Sequence, residues 1–277
     1  MDKLHGEKRQ PELWRSLVSR CEDCCGLCCT MLYFAKSEGF PRDKSAGVPC
    51  SHLQSDFRCA VHGELEQKKL KGCLAFECLG AGQKVTQAVY GGRTWRDKTV
   101  SAAEMEQVFL HVWQLQQVLG YLLEAQTLAP AQSLNSELAA LIAENLRLSA
   151  LPPEELAALT VEEHHGRANT VLKEAWAKVQ QALGVKAKAG SPDYIGRKFK
   201  KADLSGRDFS MSLLIAADLS GCCLYGANLL GADLRDAQLS GADLSQCLFL
   251  TQAQLNSAKG DASVKLPEHL QRPSSWR

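Results

Sequence analysis

The chain has 277 residues, 32 basic against 31 acidic, and a formal net charge of +1, which is length enough for two or three modules. So even a balance excludes a global electrostatic draw to nucleic acid or to an anionic membrane. The first twenty residues lack the apolar run of a signal peptide and no later run of 18 apolar residues exists, so a soluble, cytoplasmic protein is expected.

Residues 1–20 read as a charged leader with a short helix around Pro11 to Ser19. A cysteine-rich module follows over 21–95. Of the twelve cysteines, nine lie between positions 21 and 78 and none between 79 and 221. In a reducing compartment such crowding points to metal or redox chemistry rather than to structural disulfides. The segment has Gly-rich loops and few apolar residues, so it needs a staple in order to fold. Five thiols, Cys21, Cys24, Cys25, Cys28 and Cys29, fall within nine residues, and Cys50, Cys59, Cys73 and Cys78 come later. Four thiolates satisfy a tetrahedral zinc ion or one iron–sulfur cluster. If 21–29 is helical, Cys21, Cys25 and Cys28 share one face and can converge on one ion. Nine thiols exceed one such site, so either a second site exists or several of them pack as small apolar groups. His52 and His62 are possible additional ligands, the latter at Cys59-x2-His62 spacing.

The spacing Cys21-x3-Cys25-Gly26-x-Cys28-Cys29, with Pro49-Cys50, Asp56-Phe57-Arg58-Cys59 and Gly72-Cys73 to Cys78, resembles the YkgJ-type zinc- or iron-chelating family. The resemblance implies metal ligation by Cys21, Cys25, Cys28, Cys29, Cys50, Cys59, Cys73 and Cys78, with zinc or an iron–sulfur cluster as the cofactor. Cys24 is additional to that pattern, and Lys68-Lys69-Leu70-Lys71 stands where the family has Arg-Pro.

Over 96–185 the periodicity becomes helical. Ser101-Ala102-Ala103-Glu104 is a capping box, followed by Met105, Val108, Phe109, Val112, Leu115, Val118, Leu119 and Leu122 at helical spacing. Pro130 breaks that helix. A second is expected over 135–148, a short one from Pro152-Pro153, and a long one over 161–183 that ends at Gly184. Together with the first they make a small helical bundle, in which His164-His165 is expected on an exposed face. Residues 186–195 read as a linker.

From Phe199 to Phe249 every fifth residue is large and apolar, eleven times without a slip. Nine of the eleven residues placed two before these are Ala, Cys or Ser, with Cys222 and Cys247 among them as packed side chains. A period of five is neither helix nor strand. It requires a backbone that turns a corner once per repeat and a column of leucines buried by stacking. Runs such as Ala202-Asp203-Leu204-Ser205-Gly206 make residues 196–258 similar to the pentapeptide-repeat family. That resemblance implies a right-handed quadrilateral β-helix with four pentapeptides per coil. The slip after Phe249 marks the end of the regular stack, and the tail 259–277 is expected to cover its open end. Asp203, Asp208, Asp218, Asp233 and Asp243 are expected to bond at the corners.

The expected architecture is therefore multidomain: a metal-binding cysteine-rich module, a central helical bundle and a C-terminal solenoid. The expected function is a non-enzymatic scaffold that engages a protein partner, with no membrane or nucleic-acid role. An iron–sulfur-dependent redox enzyme or sensor is the alternative. Mimicry of DNA, known among pentapeptide-repeat proteins that act on topoisomerases, conflicts with the six basic and six acidic residues over 196–258.

Overall fold

The computed structural model describes residues 3–7, 9–185 and 192–276. Most of the expected linker, residues 186–191, lies outside the described residues.

Helix α1 (Pro11–Ser16) starts on a proline, whose missing N–H nothing needs at a first turn, and ends three residues short of Ser19. The cysteine-rich stretch does not form one helix. A 3-10 turn spans Cys21–Asp23, Cys24 is extended, Gly26 is left-handed at φ 71, and only then does α2 (Leu27–Met31) begin. Gly26 is fixed by sterics as well: a Cβ there would lie 2.7 Å from Leu53 Cδ1. Helices α3 (Lys71–Ala75) and α4 (Ala81–Gln83) follow, and α4 runs into one π-helical turn at Lys84–Val89.

The bundle follows its hydrophobic pattern closely. Helix α5 (Ala102–Ala125) is capped by Ser101, whose hydroxyl accepts the Glu104 amide at 3.3 Å. Pro130 sits in a 3-10 segment, Ala129–Leu134, which leads into α6 (Asn135–Leu148). Helices α7 (Pro153–Ala157) and α8 (Glu162–Leu183) complete it, and Gly184 closes α8 at φ 63. His164 is not on an exposed face. It is buried on α8, and Asn145 Nδ2 lies 3.1 Å from its Nε2 while also donating to the Leu115 carbonyl at 3.0 Å.

The C-terminal region is a β-helix. Parallel bridges join Asp193 to Leu213, Lys198 to Asp218, Asp203 to Cys223 and Asp208 to Asn228, and so on to Asn228–Leu248, each across 20 residues. Twenty residues per coil is four pentapeptides. The ladders are single-residue bridges because the chain turns a corner within every repeat. At most corners the residue two past the large apolar one is left-handed: Gly196, Gly206, Gly221, Gly226, Gly231 and Gly241, but also Lys201, Met211, Ala216 and Asp236. The aspartates act as expected, since Asp203, Asp208, Asp218, Asp233 and Asp243 each accept the backbone amide two residues on. Leu204, Phe209 and every fifth residue from Leu214 to Leu244, with the small partners Ala217, Cys222, Ala227, Ala237, Ala242 and Cys247, form one buried column.

Both ends of the stack differ from the expected 196–258. Tyr194 continues the five-residue series one step earlier and packs edge-on against Phe199 and Phe209, so an aromatic trio fills the first coil. At the other end the ladder continues past the slip. Gln238 pairs with Lys259 and Asp243 with Lys265, and the longer coil accommodates α9 (Gln252–Ser257). The tail packs on that coil through buried Trp276, whose Nε1 donates to the Ala258 carbonyl at 3.1 Å.

The solenoid is joined to the bundle by a shared core. Leu230, Leu248 and Phe249 pack among Leu119, Leu122 and Val179. The α8 side chain of Gln180 donates to the Gly206 carbonyl at 3.0 Å, and at Gly226 a Cβ would meet Leu183 at 2.6 Å. Helix α3 of the cysteine-rich segment lies against α9. The described helices include none long and apolar enough to cross a membrane.

Candidate metal centre in the cysteine-rich segment

Neighbouring cysteines here have different surroundings. Cys25 enters the apolar core beside Leu27, Val85, Phe109 and Tyr90. Its groups are occupied there: its amide donates to Thr86 Oγ1 at 3.1 Å, its sulfur accepts from that hydroxyl at 3.4 Å, and its carbonyl accepts Trp95 Nε1 at 2.8 Å. Cys24 packs only at the edge of that core. Together with Cys21, Cys28 and Cys78 it lines a small cavity of about 20 Å³, closed by Arg20, Gly82, Gln83 and Phe109. Gly82 is required there, because a Cβ would sit 2.7 Å from Cys24 Sγ and 3.8 Å from Cys78 Sγ. A volume of that size admits about one water-sized sphere. Ser19 Oγ lies 2.9 Å from Cys78 Sγ at the edge.

The remaining thiols gather on the other side of α2. Cys50 donates its amide to the Cys29 carbonyl at 2.9 Å, and Cys59 is paired with Leu53 in a short antiparallel bridge. Cys59 and Cys73 both pack against the small apolar cluster of Phe40, Val61 and Leu70. The His52 amide lies 3.5 Å from Cys50 Sγ, a turn in which the chain donates to its own sulfur two residues back. His52 supplies its backbone in this way, while His62 is exposed.

Electrostatics act within and between the two groups. Burial, then the neighbouring Cys78 and Cys29, pushes Cys21 up to about 11. Burial pushes Cys24 up to about 12, opposed by the Leu27 and Gly26 amides that point at its sulfur. Burial, then Cys29, Cys50 and Cys59, pushes Cys73 up to about 12. Burial raises Cys59 too, against the Val61 amide. Between the adjacent Cys28 and Cys29, the Cys28 thiol donates to Cys29 and Lys44 lies nearby, so Cys29 is the better anion of the two. Crowded, buried thiols resist ionisation singly because each thiolate loses hydration and repels the next, a resistance that a cation among them relieves.

Among the described residues, no three His, Cys, Asp or Glu side chains already converge as ligands would. Ligation asks the thiols of either group to turn inward about χ1. The donor set, the small cavity and the glycine that keeps it open fit a thiophilic ion. Cys24 could have been found in the sequence, since a glycine two residues after a cysteine supplies the left-handed turn that aims an amide back at the sulfur. A roomier cavity of about 560 Å³ lies elsewhere, lined by His5, Trp14, Glu124, Gln246 and His269 among others.

A family profile for pentapeptide repeats matches residues 212–249 as eight copies. The protein YybG of Bacillus subtilis (strain 168) is 50% identical over 266 residues, 94% of this chain and 95% of that one. Among solved structures, a pentapeptide repeat protein from the Arabidopsis thaliana thylakoid lumen is 26% identical, covering 31% of this chain and 55% of its own, with a TM-score of 0.22. HetL, a pentapeptide repeat protein involved in heterocyst differentiation regulation from Nostoc sp. strain PCC 7120, is 24% identical, covering 30% and 46%, with a TM-score of 0.16. The matched region therefore spans about half of each solved chain.

Proposed function

This chain is a pentapeptide-repeat protein of the same family as YybG of Bacillus subtilis, and we propose that it is a metal-dependent scaffold rather than an enzyme. Thiolate ligation fixes the cysteine-rich segment, and the solenoid offers a surface to a protein partner. The observation that carries the metal is the cavity shared by Cys21, Cys24, Cys28 and Cys78. When bound, the ion supplies folding free energy to a segment with few apolar residues of its own. The chain's part is to hold four sulfurs in a pocket that Gly82 keeps clear. Support for the scaffold comes from the division of the solenoid's sides. Leu230 and Leu248 are consumed against the bundle, whereas Lys198, Asp218, Gln238 and Lys259, on another side, are exposed or half-buried.

Anaerobic purification followed by elemental analysis tests this. The expected result is colourless protein with stoichiometric zinc. A strong chelator should then expose the cysteine-rich segment to protease while 192–276 stays resistant. Brown protein absorbing at the blue edge of the visible would favour the iron–sulfur redox reading, and metal-free, fully folded protein would overturn both.

A further inference from the structure

Resting on the reading that these thiols bind metal, we propose that the segment holds two adjoining four-thiol sites: Cys21, Cys24, Cys28 and Cys78 take one thiophilic divalent ion, Cys29, Cys50, Cys59 and Cys73 take a second, and Cys25 takes neither.

The first set is defined by the cavity its four members line, which has room for a single ion and not for a four-iron cluster. The second is defined by chain geometry. Cys50 is tied to Cys29 through its amide, and Cys59 and Cys73 share one apolar patch. Consecutive positions on α2 separate the sets, Cys28 serving one and Cys29 the other, so the two ions are neighbours. Backbone donors mark the sulfurs built to carry charge: the Gly26 and Leu27 amides at Cys24, the His52 amide at Cys50 and the Val61 amide at Cys59. Each set also has its own cation. Arg20 lines the first cavity, and Lys44 is an electrostatic neighbour of Cys50 and Cys29 in the second. Four thiolates around a divalent ion leave a net charge of −2, which a nearby cation partly offsets. Cys25 has backbone donors at its sulfur and Arg96 nearby as well, but it does not line the cavity. Its sulfur is held by Thr86 inside the apolar core.

Ligation displaces the thiol protons to solvent, and no electrons move. The test uses the full chain, reduced and metal-free, reloaded with Zn²⁺ and counted by native mass spectrometry under a competing chelator. The wild type should retain two ions, Cys24→Ser one, Cys73→Ser one, the double variant none, and Cys25→Ser two. Because a variant could misfold, Co²⁺ titration of the wild type is the second readout, with thiolate charge-transfer absorbance expected to rise to two equivalents. Saturation at one equivalent overturns the two-site division. Loss of an ion in Cys25→Ser with none lost in Cys24→Ser overturns the ligand assignment and leaves metal binding intact. A wild type that takes up neither Zn²⁺ nor Co²⁺ overturns the underlying reading as well.

Discussion

The Glu124 carboxylate accepts the backbone amide of Phe249 at 2.7 Å, linking the last turn of α5 to the irregular corner of the solenoid across 125 residues of sequence. Both residues are buried. Beside them, Leu4 donates its amide to Gln246 Oε1 at 2.7 Å, so the amino-terminal arm, the bundle and the solenoid meet at one corner. Burial pushes Glu124 up to about 8 from its ordinary 4.5, despite the opposing pull of the Phe249 amide. Its titratable surroundings are Tyr121 on its own helix, Cys247 on the solenoid, and His5, Glu268 and His269 on the shared cavity.

That displacement has a definite sign. Between pH 4.5 and 8 the folded chain keeps a proton that the unfolded chain has lost, so stability is greatest below this window and falls as pH rises through it. At about 1.4 kcal/mol per unit, the loss is on the order of a few kcal/mol. Glu124→Gln keeps an acceptor for the Phe249 amide and cannot ionise. Urea denaturation at pH 5 and pH 8.5 should show the wild type losing stability between the two while Glu124→Gln changes less. Equal pH dependence in both proteins would remove Glu124 as its source.

Gly82→Ala places a methyl group where Cys24 Sγ already lies 2.7 Å away. Residue 82 belongs to the helical α4, so backbone conformation is not at issue and only the cavity is filled. The variant should lose one of two zinc ions to a chelator and keep a folded bundle by circular dichroism. Retention of both ions would show that the cavity is not where the first one sits.

Much of this fold was legible in the sequence, and the reason differs by region. The bundle was readable because α5, α6 and α8 bury one stripe each, and caps at Ser101 and Gly184 mark their ends in residue chemistry. The five-residue period was readable because every coil repeats the same inward pair. His164 was misplaced because its burial depends on Asn145, a partner 19 residues away that no local pattern indicates. Tyr194 was missed although it sits in step with Phe199, because it falls within residues 186–195, which read as a linker. At the cysteines, spacing alone treats Cys24 and Cys25 alike. Cys24, and not Cys25, lines the cavity with Cys21, Cys28 and Cys78.

Asn145 offers a test of a buried polar crossing between α6, α5 and α8. Its amide nitrogen serves both the Leu115 carbonyl and His164, and the residue has no exposed surface. Asn145→Ala leaves two buried polar groups without their donor, which costs about 1–3 kcal/mol. Chemical denaturation should register that loss. A change within about 0.5 kcal/mol, as for a surface site, would mean that the crossing contributes nothing net.

The solenoid's inward positions make a paired prediction about what its core demands. Cys222 and Cys247 occupy the small position that alanine fills at Ala217, Ala227, Ala237 and Ala242, and all six are buried. Replacing either cysteine by alanine removes one sulfur and leaves a void smaller than a methylene chain, so stability should fall by no more than about 1.5 kcal/mol, comparable to other near-isosteric core changes. Zinc content should not change, because neither thiol belongs to the cysteine-rich segment. Leu229 occupies the large position one repeat on, with Phe209 one coil before it in the column. Leu229→Ala empties most of that site, and stacked coils held by a 20-residue ladder have little freedom to collapse into it. The expected loss is about 2–5 kcal/mol. Thermal melts of the three variants, with zinc measured in each, separate the two classes. A Cys222→Ala that lost zinc would give that thiol a role the packing does not, and a neutral Leu229→Ala would mean the column is looser than its burial indicates.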